Sequence, residues 1–346
     1  MATVTTTPAL RTVLSIDGGG IRGVIPARVL REIEQRMGRP VHELFDLVAG
    51  TSTGGILALG LTLPKPGTKT PAWDAAALQR LYVEHGAKIF ANSLLRKIET
   101  VGGLFEERYD AHEIERVLRH YFGGAMLSSA LTEVVVPSYD LTAPAPFFFK
   151  RSYARDQTHT WDVETWKVAR ATSAAPTYFD PMNLPAFEDE GEHALVDGGV
   201  FANNPTACAY AEALNLYGRA SDVAILSLGT GDGPPHMVRY LDARGWGVIH
   251  WARPIIDVVF DGVAKTVDYQ MIRLCRSQTQ GEQLYHRIQR APLHTPATMD
   301  DASPSHVQAL LGEAEALLAQ PETQATLDAV CALLARRLEA SAAASV

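Results

Sequence analysis

The spacing of apolar residues changes from strand-like to helix-like twice near the start of the chain. Residues 12–16 form a β-branched run that ends at Asp17 and three glycines, which predicts a buried strand entering a tight turn. Apolar residues that recur every four positions predict a helix next: Val29, Ile33 and Met37. Residues 44–49 predict a second strand, and residues 56–59 continue as an apolar helix. This alternation is typical of an α/β sheet with helices on its faces.

The later pattern extends the same sheet. Residues 132–140 and 223–228 predict further strands, and residues 64–70 predict a loop rich in proline, glycine and lysine. Two amphipathic helices are predicted on either side of Pro321. Their apolar stripes are Val307, Leu310, Leu311, Ala314, Leu317 and Leu318, then Leu327, Val330, Leu334 and Leu338. We expect a flexible N-terminus over residues 1–10, one α/β domain over 11–290, and C-terminal helices over 291–346 packed on that domain.

Composition and charge limit the kinds of molecule that this protein is expected to bind. The 346 residues are 47% hydrophobic and 20% charged, with a net charge of -8. An acidic net charge does not suit binding to negatively charged nucleic acid. It also argues against electrostatic docking to acidic lipids. Three well-separated cysteines favour a reducing compartment, and no signal peptide or apolar membrane span is visible. We therefore expect a cytoplasmic protein. No CxxC or HExxH spacing occurs, so we expect no zinc and no other cofactor.

Gly50, Thr51, Ser52, Thr53 and Gly54 form a G-x-S-x-G sequence. A chance match is the simplest alternative in a glycine-rich chain. Here, however, the pattern lies between a predicted strand and a predicted apolar helix, where a nucleophile elbow requires it. The helix N-terminus would favour the negative charge that develops in acyl transfer. We interpret Ser52 as a nucleophile.

Residues 17–23 form a second glycine turn, Asp-Gly-Gly-Gly-Ile-Arg-Gly. Gly18 to Gly23 also match G-x-G-x-x-G, the fingerprint of a dinucleotide site. That site needs an acidic residue at the end of the next strand, and none is present there. Successive glycine amides suit an oxyanion hole equally well, so we favour that interpretation. Arg22 either braces this loop or lies exposed at the start of the helix.

Residues 195–200 read Leu-Val-Asp-Gly-Gly-Val. Asp197 could be a turn residue, the middle member of a Ser–Asp–His triad, or a base that takes the Ser52 proton directly. Only His193 and His236 among the eleven histidines lie in loop-like contexts near the other candidates. His236 could complete a triad.

These three motifs, in this order, resemble the patatin-like phospholipase family, and residues 170–179 and 197–205 extend the similarity. The resemblance is to plant patatins and their soluble bacterial relatives. It implies a three-layer α/β/α fold with a mainly parallel sheet and Ser52 on a strand-to-helix elbow. It also implies a Ser52–Asp197 dyad without histidine, and an oxyanion hole from the amides of Gly18, Gly19, Gly20 and Thr53. Asp17, Arg22, Gly23, Gly50, Gly54, Gly198 and Gly199 would support the site.

The predicted function is a metal-independent lipid acyl hydrolase of the phospholipase A type, acting on phospholipid or another acyl lipid with transient membrane contact. The alternatives are a nucleotide-activated effector of a bacterial defence system, a triad esterase, and a non-catalytic binding module. A mobile cover is predicted from Leu94, Leu95, Ile98, Leu104 and Phe105. Phe147 to Phe149 could form a wall of the acyl groove, but ordinary core is favoured. Asn203 and Asn204 would either orient the Asp197 loop or stabilise its turn.

Overall fold

The computed structural model describes most of the chain. The described residues are 9–90, 111–156, 161–176, 178–187, 190–219, 221–233, 240–251, 254–276, 282–290, 293–296 and 298–343. The predicted mobile cover lies outside them, as do residues 1–8 of the predicted flexible N-terminus. None of the helices in these ranges is long and apolar enough to cross a bilayer.

The described strands form one mostly parallel sheet. They are β1 (Leu10–Ile16), β2 (Leu47–Gly50), β3 (Glu133–Asp140), β4 (Ala145–Lys150), β5 (Met182–Pro185), β6 (Glu192–Asp197), β7 (Asp222–Leu228) and β8 (Tyr285–Ile288). Their order is β5-β6-β3-β2-β1-β7-β8, and β4 pairs with β3. β2, β1, β7 and β8 run parallel with β3, whereas β4 and β6 run antiparallel to it and β5 antiparallel to β6. The carboxyl ends of β1 and β2 therefore meet at one edge of the sheet.

Helices cover both faces of the sheet. They are α1 (Val24–Met37), α2 (Val41–Leu44), α3 (Thr53–Thr62), α4 (Ala75–Phe90), α5 (Ala111–Phe122), α6 (Arg151–Ala154), α7 (Thr165–Thr172), α8 (Gly199–Ala202), α9 (Thr206–Tyr217), α10 (Tyr240–Ala243), α11 (Val248–Trp251), α12 (Pro254–Leu274), α13 (Pro304–Leu318) and α14 (Pro321–Ala343). Leu14 and Val48 face a core shared with α1, α3 and α4, whereas Val13 and Leu47 face a second core with α9. The three-layer α/β fold is confirmed.

The predicted strand over residues 44–49 is wrong in its first half. Leu44 ends α2, and β2 begins only at Leu47. Long-range contacts override the local apolar run. Glu34 accepts a hydrogen bond from the Val41 amide at 3.1 Å and holds the start of α2. Asp46 accepts from the Thr12 amide at 2.9 Å, which bends the chain before β2. The predicted strands at 12–16, 132–140 and 223–228 are confirmed to within two residues.

The two predicted C-terminal helices are present, and Pro321 begins the second one. α13 packs on α1 and α4, while α14 packs on α1, β1 and β8. Ion pairs join the helices to the earlier chain, such as Arg290 to Glu313 at 2.9 Å and Arg28 to Glu315 at 2.7 Å. Phe147 and Phe149 lie in the main core, as favoured from the sequence, and Phe148 packs edge-on against Phe201.

Candidate active site

Ser52 occupies a strained turn between β2 and α3. Its φ of 55° and ψ of -123° make it the sole non-glycine residue with positive φ in the described part of the chain. Strain of this kind persists only where neighbours hold the backbone, and it concentrates at functional sites. The Ser52 amide donates to Thr172 Oγ1 at 3.0 Å, and the Thr51 amide donates to the Ile16 carbonyl at 3.1 Å. The turn is thus fixed from both sides.

Steric constraints require glycine at both positions that flank this turn. A Cβ on Gly50 would overlap the carbonyl of Gly54, and one on Gly54 would overlap the carbonyl of Ile16. β2 and α3 can approach this closely only with glycine at both positions. The Ser52 side chain is consequently presented at the N-terminus of a wholly buried helix.

Asp197 ends β6 and is completely buried. Its Oδ1 accepts from the Gly199 amide at 2.7 Å, whereas Oδ2 has no hydrogen-bond partner of ordinary geometry among the described residues. Burial raises the pKa of Asp197 from 3.8 to about 7, although the Gly199 amide and the nearby Ser52 hydroxyl lower it. An Asp with this pKa is a far better proton acceptor near neutral pH than an exposed one.

The glycine turn after β1 lies against Ser52 and the loop after Asp197. The Gly18 amide donates to the Asn203 carbonyl at 3.0 Å, so it is committed to holding the two loops together. A Cβ on Gly18 would lie 3.3 Å from the Ser52 Cβ. Within the described ranges, the amides of Gly19, Gly20 and Thr53 have no acceptor. Those three amides, rather than that of Gly18, remain open to a ligand.

Two arginines hold the glycine turn. Arg22 donates to the Gly19 carbonyl at 3.3 Å and to the Gly231 carbonyl at 2.8 Å. Arg287 on β8 donates to both oxygens of the Asp17 carboxylate, at 2.9 and 2.6 Å. Burial alone lowers the pKa of Arg287, but the Asp17 carboxylate raises it overall, so the guanidinium stays charged.

The remaining motif residues support packing around these loops. Gly23 lies against Thr53 and Tyr82, where a Cβ would collide, and the Thr53 hydroxyl bonds Tyr82 Oη at 2.5 Å. Gly198 passes directly over the Pro137 carbonyl, and Gly199 lies against the ring of Phe260. Asn204 Oδ1 accepts from the Thr206 amide at 3.0 Å and so stabilises the turn itself.

His193, one of the two histidines considered for a triad, does not reach Asp197. His193 Nδ1 lies 2.6 Å from Asp140 Oδ2. It precedes Asp197 by four residues on β6, a separation of about 13 Å along a strand. His236 lies outside the described residues. No group of three potential metal ligands occurs in the described ranges.

Sequence reasoning missed Thr172, Thr230 and Arg287. Thr172 positions the Ser52 amide, and Thr230 Oγ1 donates to the Gly18 carbonyl at 2.8 Å. Arg287 had a local signal: it is a charged residue within the short strand Tyr285–Ile288, and a buried arginine needs an acidic partner. The identity of that partner, 270 positions away, was not visible.

An apolar cavity of about 510 Å³ lies beside the Asp197 loop. Val196 and Val200 flank Asp197 in sequence and both line it. The other lining residues are Tyr139, Leu141, Pro176, Phe179, Pro181 and Phe201. Volume and lining are within the range of small-molecule sites.

A strand–serine–helix elbow on an α/β sheet is the arrangement of serine hydrolases. Residues 14–210 match the family model of patatin-like phospholipases. Patatin-like protein 2 of Oryza sativa subsp. indica is 34% identical, over 89% of this chain and 83% of its own. Patatin-04/09 of Solanum tuberosum is 30% identical, over 90% and 84%. The chain belongs to the patatin-like phospholipase family, whose members are in general lipid acyl hydrolases.

One relative shows that membership does not by itself establish activity. A Solanum tuberosum protein named probable inactive patatin-3-Kuras 1 is 30% identical, over 92% of this chain and 88% of its own. The case for activity in this chain therefore depends on its own residues.

Proposed function

We propose that this protein is a lipid acyl hydrolase of the phospholipase A type, and that it cleaves fatty acyl esters through a Ser52–Asp197 dyad. One observation carries the proposal: the strained Ser52 lies next to a buried carboxylate with an unpartnered Oδ2 and a pKa of about 7. A general base works best when its pKa is near the working pH. This match supports Asp197 as a base that needs no histidine.

In the first step, the Ser52 Oγ attacks the ester carbonyl carbon as its proton passes to Asp197 Oδ2. The carbonyl oxygen becomes an oxyanion. The Gly19, Gly20 and Thr53 amides are the available donors for it, and the N-terminus of α3 adds a favourable field. Removing one such donor in a hydrolase costs roughly 100- to 1000-fold in kcat.

Collapse of the tetrahedral intermediate breaks the ester C–O bond, and the leaving alkoxide takes the proton from Asp197. The acyl group then remains on Ser52 as an ester. A water molecule attacks this acyl-enzyme while Asp197 again accepts a proton, and Ser52 is regenerated with release of the fatty acid. Each step uses only residues of this chain, and we propose that no metal takes part.

The lipid substrate class follows from the family and fits the apolar cavity beside Asp197. Val200 lines that cavity directly after Gly199, whose amide holds Asp197 Oδ1. We propose phospholipid or a related acyl lipid as the substrate.

The decisive experiment is product analysis by mass spectrometry on phosphatidylcholine of defined acyl composition. Wild type should release free fatty acid and lysophospholipid, and Ser52→Ala and Asp197→Asn should release neither above background. Ser129→Ala is the matched serine control, since among the described residues its hydroxyl bonds only the nearby Met126 carbonyl. Full hydrolysis by either dyad variant would overturn the proposal.

Histidine variants separate a dyad from a triad. His193→Ala and Asp140→Asn should leave hydrolysis within a fewfold of wild type, since this pair lies apart from Asp197. His236→Ala should do the same. A folded His236→Ala that is as inactive as Ser52→Ala would replace the dyad with a triad. A fluorophosphonate probe should label wild type and Ser129→Ala but not Ser52→Ala, and absence of labelling in wild type would favour a non-catalytic binding module.

A further inference from the structure

One face of α12 is apolar and open to solvent. Ile255, Val258, Tyr269 and Ile272 are 41%, 55%, 59% and 44% exposed. Their spacing, with Gly262 and Lys265 between them, alternates three and four residues and places them on one side of the helix. We call these four side chains the α12 stripe. It runs for about 26 Å along the helix axis.

Phe260, on the opposite flank of α12, contacts the loop after Asp197, and two aspartates of α12 lie near the arginine that holds the glycine turn. The Phe260 ring lies against Gly199, where a Cβ would stand 2.7 Å from the ring. Asp257 and Asp261 lie close enough to Arg22 to raise its pKa, against the larger lowering effect of burial. A surface that binds the α12 stripe would therefore be held across the width of one helix, roughly 10–12 Å, from the glycine turn and the Asp197 loop.

Charge on and around the stripe favours a neutral partner. Lys265 pairs with Asp261 at 2.8 Å, so its ammonium is already compensated. The Arg273 guanidinium lies 3.6 Å from the centre of the Tyr269 ring, and its Nη1 donates to the Tyr269 carbonyl. The whole chain carries a net charge of -8. This net charge would repel an anionic membrane, whereas a zwitterionic one would accept the apolar stripe with the Arg273 cation beside it.

The stripe also has the composition of an interfacial element. Tyrosine joins an apolar ring to a polar hydroxyl and suits the boundary between acyl chains and headgroups. Trp251, 38% exposed in the adjoining α11, adds a second aromatic ring near the start of α12. An amphipathic helix of this kind lies in the plane of a bilayer surface, with its apolar side turned towards the acyl chains.

We propose that the α12 stripe is the surface on which this protein rests on zwitterionic phospholipid. The choice of lipid over a second copy of the chain rests on the proposed function, because a lipid hydrolase must bring its site to an aggregated substrate. Contact through the stripe places the loops of the site about one helix diameter, roughly 10–12 Å, from the membrane surface.

The test measures how much protein sediments with phosphatidylcholine vesicles. Every protein compared carries Ser52→Ala, so that hydrolysis cannot alter the vesicles. Ile255→Glu combined with Val258→Glu should lower the apparent partition coefficient by roughly tenfold or more, because two apolar groups become charged. Tyr269→Ser combined with Ile272→Ser should lower it as well, without adding charge. Val83→Glu is the matched control, a 43% exposed valine in α4 on the other layer.

The outcomes are distinct. Weaker binding of both double variants, with the control binding like the parent and all proteins melting normally, supports the stripe. Equal binding by all variants, no binding of the parent, or binding only to anionic phosphatidylglycerol vesicles overturns it. So does a dimer, seen by light scattering, that the double variants dissociate. Hydrolysis of a soluble short-chain ester by the protein with Ser52 intact is measured separately, so loss of the proposed function leaves the binding result readable.

Discussion

Replacing Asp197 with Asn should make the folded protein more stable at neutral and alkaline pH while abolishing hydrolysis. Asp197 is fully buried, and burial raises its pKa from 3.8 to about 7. A carboxylate with a raised pKa binds its proton more tightly in the folded state than in the unfolded state. Its contribution to stability is therefore complete below about pH 4 and is lost as the pH rises through about 7.

The size of the stability gain in Asp197→Asn follows from the pKa shift of Asp197. Each pKa unit corresponds to about 1.4 kcal/mol. The rise from 3.8 to about 7 therefore lowers the free energy of unfolding by about 4 kcal/mol at alkaline pH. Asn is isosteric, keeps an oxygen for the Gly199 amide, and does not titrate. The difference in unfolding free energy between Asp197→Asn and wild type should grow between about pH 4 and pH 7 and then level off.

Urea denaturation at a series of pH values measures this difference directly. Asp140→Asn is the matched control with the opposite sign. Burial raises the pKa of Asp140, but hydrogen bonds from His193 and Thr142 lower it overall, so its carboxylate stabilises the fold at neutral pH. Asp140→Asn should lose stability there. A difference between Asp197→Asn and wild type that is flat with pH would refute the burial argument.

Three further expectations address the site and its supports. The value of kcat/KM for a soluble ester should fall about tenfold per pH unit below about pH 7, because only ionised Asp197 accepts the serine proton; a profile level down to about pH 5 would contradict this. Arg287→Met should cost about 3–5 kcal/mol of unfolding free energy by leaving Asp17 buried without its partner. Adding Asp17→Asn should restore most of that loss in urea denaturation, and no recovery would argue against the pair. Gly54→Ala should destabilise by about 1–3 kcal/mol or more and weaken fluorophosphonate labelling, since its Cβ meets the β1 backbone. Gly312→Ala in the open part of α13 should not destabilise, and equal effects of the two would reject the packing explanation.

The sequence predicts the sheet and its nucleophile turn well because both depend on local patterns. The β-branched run before Asp17 and the glycines around Ser52 determine strand, turn and helix within a few residues. The strand expected over residues 44–49 was partly wrong because distant groups decide that segment. Glu34 and Thr12 fix α2 and the bend at Asp46, and apolar periodicity contains no information on either.

The sequence predicts only part of the chemistry of the site. The three motifs indicate which residues meet, but the pKa of Asp197 depends on how completely the fold buries it. An unperturbed Asp would be a weak base towards serine. Likewise, Gly18 looked equivalent to its neighbours, and only the fold commits its amide to the Asn203 carbonyl.

The position of Arg287 on β8 affects how this protein can be divided into fragments. The match to the family model ends at residue 210, before β7 and β8. A protein cut there would expose the whole edge of β1, which pairs with β7 from Leu10 to Ile16, and would leave Asp17 buried without a cation. We expect such a fragment to aggregate, so the shortest usable truncation must extend beyond residue 288.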